Sequence, residues 1–238
     1  MPVGIITNVA AVVIGGILGC LLGGRVTGRV TERWKKLLND LLGVSAMTMG
    51  IVLILKGKNL SPVILSLLVG GVLGEALQLE KRVNGLVVRV TEKVLKGDAM
   101  SEGHLMQIAT VMVLFCFSGT GWYGALFEGM TGDGSILITK AILDGITACI
   151  FAALLGRIVP CLGLPQLLLM LLLFFVAEPL SPVITPSMTA DFSAIGGVVT
   201  LCAGLRMTRI KTDIKVLNLL PALPLAFLFS ALWTAFIG

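Results

Sequence analysis

The chain has 238 residues, 56% of them hydrophobic and only 13% charged, with a formal net charge of +5. A mean hydropathy of +1.02 leaves too little polar surface to clothe a water-soluble core, which excludes an ordinary soluble domain and indicates a membrane protein. The basic excess lies between apolar runs, which assigns it to headgroups and topology and not to nucleic acid.

The first run, Val3 to Gly24, contains no charge and is long enough to cross a hydrocarbon core of about 30 Å as a helix. It lacks the basic start of a secretory signal, so it is expected to remain as a mature helix. Within it, "IGGILGCLLGGRVT" at 14–27 aligns without a gap with "IGGVVTLCAGLRMT" at 195–208. A third copy follows, because "VGGVLG" at 69–74 leads to "RVTE" at 89–92 as "IGGILG" at 14–19 leads to "RVTE" at 29–32. A weaker fourth is "ACIFAALLGR" at 148–157.

These copies suggest a two-helix unit repeated in parallel within one integral membrane domain, 1–238, with repeat halves of about 1–128 and 129–238. The rival is an inverted repeat, in which Gly43 and Gly50 align with Gly197 and Gly204. Small residues at helical spacing, such as Gly15, Gly19 and Gly23, let helix backbones approach closely, inside the fold or at a homo-oligomer contact.

In chain order the apolar runs predict an all-α, polytopic transmembrane helix bundle with about eight spans: 3–24, 41–55, 60–79, 105–127, 136–156, 159–177, 192–205 and 216–237. The runs at 41–55 and 192–205 are short, so either their flanks snorkel or they do not cross fully. Alternate loops then collect all but three of the 18 Lys and Arg residues, leaving Lys56, Lys58 and Lys140 on the opposite side. By the positive-inside rule the basic side is cytoplasmic, so both termini are expected on the outer side of the membrane. Two basic segments, 25–40 and 80–96, carry apolar stripes at helical spacing and read as cytoplasmic amphipathic helices lying on membrane lipids.

The most polar stretch inside the apolar sequence is "FCFSGTGWYGALFEGMTGDGSILITKAILDG", 115–145. Its glycines and hydroxyls, Ser118 and Thr120 among them, suit direct binding of an ion or polar group at a helix end. Lys140 and Asp144 are four apart and share a helix face. A helix starting near Ile136 carries Asp144 about 12 Å inward, where an aspartate is too short to snorkel out. A carboxylate at that depth costs a few kcal/mol unless it is paired, protonated or wet. Lys140–Asp144 is therefore either a structural pair or a binding site, with Asp144 as the titrating group and Lys140 as its counter-charge or an anion ligand.

Other polar residues read more plainly. Asn8 starts the first helix and serves as a cap or a binding group, while Glu178 and Asp191 fall in a proline-rich outer loop as solvated charges. Glu75 suits a pair with Arg29, Arg33 or Lys36. Pro221 lies a few residues into the last span, where its ring frees a carbonyl that Asn218 either satisfies or leaves open as a gate.

Nothing in the sequence assembles an enzyme, a metal centre or a cofactor site. The five cysteines lack C-x-x-C spacing, His104 is the sole histidine, and no nucleophile elbow or nucleotide-binding loop occurs.

Taken with these residues, the chain resembles a family of bacterial membrane proteins, domain of unknown function 554, the YqgA/YdfK-like proteins. The resemblance runs through Thr7 and Asn8, "FC" at 115–116 with Gly119 and Gly124, "GDG" at 132–134, Lys140 with "LDG" at 143–145, "GG" at 196–197 and "NLLPAL" at 218–223. It places Lys140 and Asp144 in the family's signature, with Ala141 where the resemblance implies serine. It implies a multi-pass protein of the bacterial inner membrane, of transport type, with the outer side that holds both termini periplasmic or extracellular, and it names no substrate. The function expected from these readings together is transport of a small solute or ion, with proton coupling as one mode. The site would face outward around Lys140, Asp144, Ser118, Thr120 and Asn8. The alternatives are a non-transporting scaffold or lipid-interacting oligomer and, further off, an ion channel.

Overall fold

The structure is a computed structural model; it describes residues 1–26, 32–95, 108, 111–112, 115–116, 118–211 and 213–236. Arg29, His104 and most of the first half of the expected fourth span lie outside the described residues. The helices are α1 (Val3–Val26), α2 (Glu32–Ile54), α3 (Leu60–Ala76), α4 (Leu79–Leu95), α5 (Gly119–Thr131), α6 (Ser135–Leu155), α7 (Gly163–Ala177), α8 (Pro186–Met207) and α9 (Ala222–Phe236). A single turn, Ile158–Cys161, precedes α7, and 3-10 segments fill Glu178–Val183 and Val216–Leu219. There is no strand among the described residues.

Among the described residues, five segments are long and apolar enough to cross a membrane: Val3–Leu22, Ser135–Ala153, Ile158–Ala177, Pro186–Met207 and Val216–Phe236. A sixth is Leu60–Ala76 with Leu79–Leu86, bent by 52° at a break where Gln78 adopts a left-handed φ of 49°. Of the eight expected spans, five or six are long and apolar enough among the described residues, which leave out most of the first half of the run at 105–127. The apolar part of α2, Gly43–Ile54, is short because the helix begins in charged sequence; the basic residues from Glu32 onward are its first turns and not a separate surface helix. The run expected at 105–127 is interrupted at Ser118, which is extended and caps α5. The run expected at 192–205 is longer than the sequence suggested. Thr185 accepts a bond from Met188 N and Pro186 occupies the first helical position, so the proline starts a helix where it had been read as loop.

The chain divides into two compact units, Met1–Lys36 with Lys81–Pro179 and Leu37–Glu80 with Leu180–Gly238. In the first unit α1 lies along α6 on glycines. Gly4 faces Gly134, Gly15 faces Gly145 and Gly19 faces Cys149, a constant sequence offset that makes the two helices parallel and in register. A methyl group on Gly15 or Gly19 would fall on the carbonyl oxygen of Gly145 or Cys149. The α7 helix closes against α1 through Gly163 and against α5 through Gly129, with Ile5, Leu137, Met170 and Phe174 filling the space between. Away from these seams Ile6, Ile14 and Ile17 on α1, Ile138, Ile142 and Ile146 on α6, and Leu164, Leu168 and Leu172 on α7 are exposed. Aliphatic faces turned outward around buried polar side chains suit lipid as the surrounding solvent.

In the second unit α2 and α8 meet at Gly43 with Gly204 and Gly50 with Gly197, an order that makes them antiparallel. Likewise α3 meets the last span antiparallel, Gly70 against Ala222 and Gly74 against Asn218.

Asp191, expected as a solvated loop residue, is 1% exposed inside α8. Its Oδ1 accepts from the backbone N–H groups of Lys58 (3.1 Å) and Asn59 (2.8 Å), and its Oδ2 from Ser230 Oγ (2.7 Å) and Asn59 Nδ2 (3.2 Å). It thereby holds the start of α3 to α8 and α9. Asp191→Ala strands the buried donor of Ser230 and three partly buried donors of Lys58 and Asn59, a fully buried one being worth about 1–3 kcal/mol. A fall in stability of about 2–4 kcal/mol is expected in detergent unfolding; a change below about 1 kcal/mol would mean that water already serves those donors.

Candidate functional site

The α6 helix begins at Ser135, close to the expected start, so Asp144 lies about 14 Å along it at about 1.5 Å per residue. Lys140, one turn earlier, is 4% exposed and Asp144 7%. The lysine does not snorkel: its Nζ bonds directly to Asp144 Oδ2. Burial of both charges in apolar helices makes mutual pairing a requirement, since either one alone would be desolvated without compensation.

Two amides complete the cluster. Asn8 lies well inside α1, which begins at Val3, and is fully buried, so it is not a helix cap. Its Nδ2 donates to Asp144 Oδ2 at 3.0 Å. Gln166, fully buried near the start of α7, donates from Nε2 to Asn8 Oδ1 at 2.7 Å and approaches Asp144 Oδ2 at 3.4 Å. The chemistry fixes both amide orientations. A carboxylate paired with an ammonium only accepts, so Asn8 must offer its nitrogen to Asp144, which turns its oxygen to Gln166 and demands the nitrogen there. Gln166 Oε1 is left as a buried acceptor with no hydrogen-bond partner among the described residues.

The 118–121 turn also reaches this place. Ser118 Oγ accepts from Gly121 N at 3.1 Å, and Gly121 leaves room for the lysine stem: a methyl group there would stand 3.4 Å from Lys140 Cε. Thr120 is buried in the same turn. Cys116, just before it, is buried within electrostatic reach of both Lys140 and Asp144, and its carbonyl accepts from Trp122 Nε1 at 3.2 Å.

Of the expected site residues, then, Asn8, Lys140 and Asp144 touch, and the turn that carries Ser118 and Thr120 approaches Lys140 at Gly121, whereas Asn218 and Pro221 belong to the second unit. Pro221 immediately precedes α9, where no intrahelical bond is lost. Asn218 Oδ1 accepts from Glu80 N at 2.8 Å and its Nδ2 donates to Glu75 Oε2 at 2.7 Å, so it joins α3 to the last span instead of serving a freed carbonyl. Glu75 pairs with Lys215 at 2.5 Å and Glu80 with Arg206 at 2.7 Å, while the side chains of Arg29, Arg33 and Lys36, the partners expected for Glu75, lie outside the described residues.

Sequence reading missed Gln166 and Glu128. Gln166 is the one polar side chain in "LPQLLLMLLLFF", a signal that was present. Glu128 is fully buried and accepts from Gly4 N (2.6 Å) and Ile5 N (3.0 Å), placing a negative charge on the positive end of α1.

Helices with aliphatic outer faces around a buried lysine–aspartate pair define a multi-pass membrane protein. Residues 3–231 match the family described as "Protein of unknown function (DUF554)", and the chain belongs to that family. It is 42% identical over 237 residues to the "Uncharacterized protein YqgA" of Escherichia coli (strain K12), covering 99% of each chain. It is 29% identical over 196 residues to the "Uncharacterized membrane protein YdfK" of Bacillus subtilis (strain 168), covering 81% of each. No solved structure matches the chain.

Proposed function

We propose that the protein is a non-enzymatic inner-membrane transporter of a small solute or ion, with its site at Lys140, Asp144, Asn8 and Gln166. One observation carries this reading: a charged pair and two amides are buried deep in lipid-facing helices, at a cost that a purely apolar packing would avoid, and the cluster keeps one acceptor unbonded. Relative helix directions support the topology proposed with it. The parallel pair α1/α6 and the antiparallel pairs α2/α8 and α3/α9 are those that alternating spans require. Both termini are then outside, and the basic residues Lys81, Arg82 and Arg89 of α4 rest on anionic headgroups at the cytoplasmic face.

The second reading is a non-transporting scaffold. It is favoured by the convergence of Lys140, Asn8 and Gln166 on Asp144, which is what a structural pair needs.

Cysteine labelling separates the two. With Asp144→Cys in an otherwise cysteine-free, folded protein, a membrane-impermeant thiol reagent applied from either side should react if a water path reaches the site. Protection from both sides would sink the transport reading and leave the scaffold.

A further inference from the structure

The unbonded atom in the cluster is an acceptor, and that decides the charge of what the cluster can take. Gln166 Oε1 is fully buried and its orientation is forced by the chain of bonds through Asn8 to Asp144. The donors from Asn8, Lys140 and Gln166 all converge on Asp144 Oδ2 and none of the three reaches Oδ1, and the aspartate side chain keeps 10% of its surface exposed. An anion would face lone pairs at both oxygens, and the one positive charge of the cluster, Lys140, is already offset by Asp144. A cation meets an amide oxygen and a carboxylate oxygen, the hard ligands that alkali ions accept.

We propose that the cluster of Asn8, Lys140, Asp144 and Gln166 is a site for a small monovalent cation, in which the Lys140 ammonium is a tethered competitor for Asp144. The inference rests on the transport reading and names its substrate class. With Lys140 on Asp144 the cluster is neutral; a free alkali ion that takes the carboxylate must displace the ammonium, so ion and lysine alternate on one anion. Gln166 Oε1 supplies the ligand that distinguishes the free ion from the tethered one, because Lys140 does not bond to it. Among the described residues, the titratable groups facing Lys140 are Asp144 from its own helix and Cys116 from the segment before α5, while α1 and α7 contribute the amides of Asn8 and Gln166.

The full-length protein in detergent is unfolded thermally in lithium, sodium or potassium chloride, with choline chloride holding ionic strength and pH fixed. At least one alkali ion should raise the midpoint saturably where choline does not, because a ligand bound only by the folded state stabilises it. Lys140→Met removes the competitor and should tighten that ion's apparent affinity about tenfold or more. Gln166→Leu should weaken it by about the same factor, and Asp144→Asn should abolish it. Should Asp144→Asn fail to fold, Lys140→Met and Gln166→Leu still decide.

The proposal is overturned if no alkali ion differs from choline in both the natural protein and Lys140→Met, the result expected when only water serves Gln166. It is equally overturned if Gln166→Leu binds as the natural protein does. Ion flux into proteoliposomes separates the two claims. Saturable binding without flux keeps the cation site and removes the transport reading; water access at Asp144→Cys with no alkali effect keeps transport and removes the cation.

Discussion

Neutralising one member of the buried pair is expected to destabilise the protein far more than neutralising both. Lys140→Met and Asp144→Asn should each cost about 3–5 kcal/mol, the usual consequence of leaving a buried charge without its partner. The two are not equivalent. In Lys140→Met the carboxylate keeps the donors of Asn8 and Gln166, whereas in Asp144→Asn the ammonium retains only a neutral acceptor, so the aspartate variant should be the weaker. The double variant removes both charges together and should recover most of the loss, giving a coupling of several kcal/mol in a double-mutant cycle. The measurement is equilibrium unfolding in one fixed detergent with choline as the only salt cation. Small, additive effects below about 1 kcal/mol would mean that the pair is hydrated, against its 4% and 7% exposure. The cycle also has a functional arm: the double variant should fold yet transport nothing, and a double variant with intact function in cells would favour the scaffold.

What could be read from the sequence depended on whether the relevant partner was local. Lys140 and Asp144 stand one turn apart in an apolar run, so their shared face followed from helical spacing alone. Asn8 was legible as polar and near an outer end, but its role was not, because the helix starts at Val3 and carries it past the capping position to face Asp144. Gln166 stands 22 residues from Asp144 and 158 from Asn8, and no local pattern brings those three together. Asp191 was misread for a different reason. The prolines around it look like loop punctuation, but one of them takes the first position of α8, where its missing N–H costs nothing. The repeated glycine pattern announced close helix packing. Which helix each copy meets, and in which direction, is a tertiary matter: the copy in α1 has a parallel partner and the copy in α8 an antiparallel one.

That packing yields the other large effect, visible with one and the same substitution at different positions. Gly15→Ala should destabilise the protein by about 2–3 kcal/mol, at the upper end for overpacking. The reason is what the new methyl meets. At Gly15 it is the backbone carbonyl of Gly145, which no side-chain rotation can move aside, so relief requires α1 and α6 to separate. Gly19→Ala, facing the Cys149 carbonyl, should behave alike. At Gly85 in the exposed part of α4 nothing lies within 4 Å, and alanine should instead stabilise the helix by about 0.5–1 kcal/mol through its better propensity. The same seam sets the distance between Asn8 on α1 and Asp144 on α6, so Gly15→Ala should also weaken any ligand response of the cluster while every polar residue in it is unchanged. Equal, slight effects at Gly15 and Gly85 in thermal unfolding would show that α1 and α6 do not pack backbone to backbone, and the register that joins Asn8 to Asp144 would fall with that.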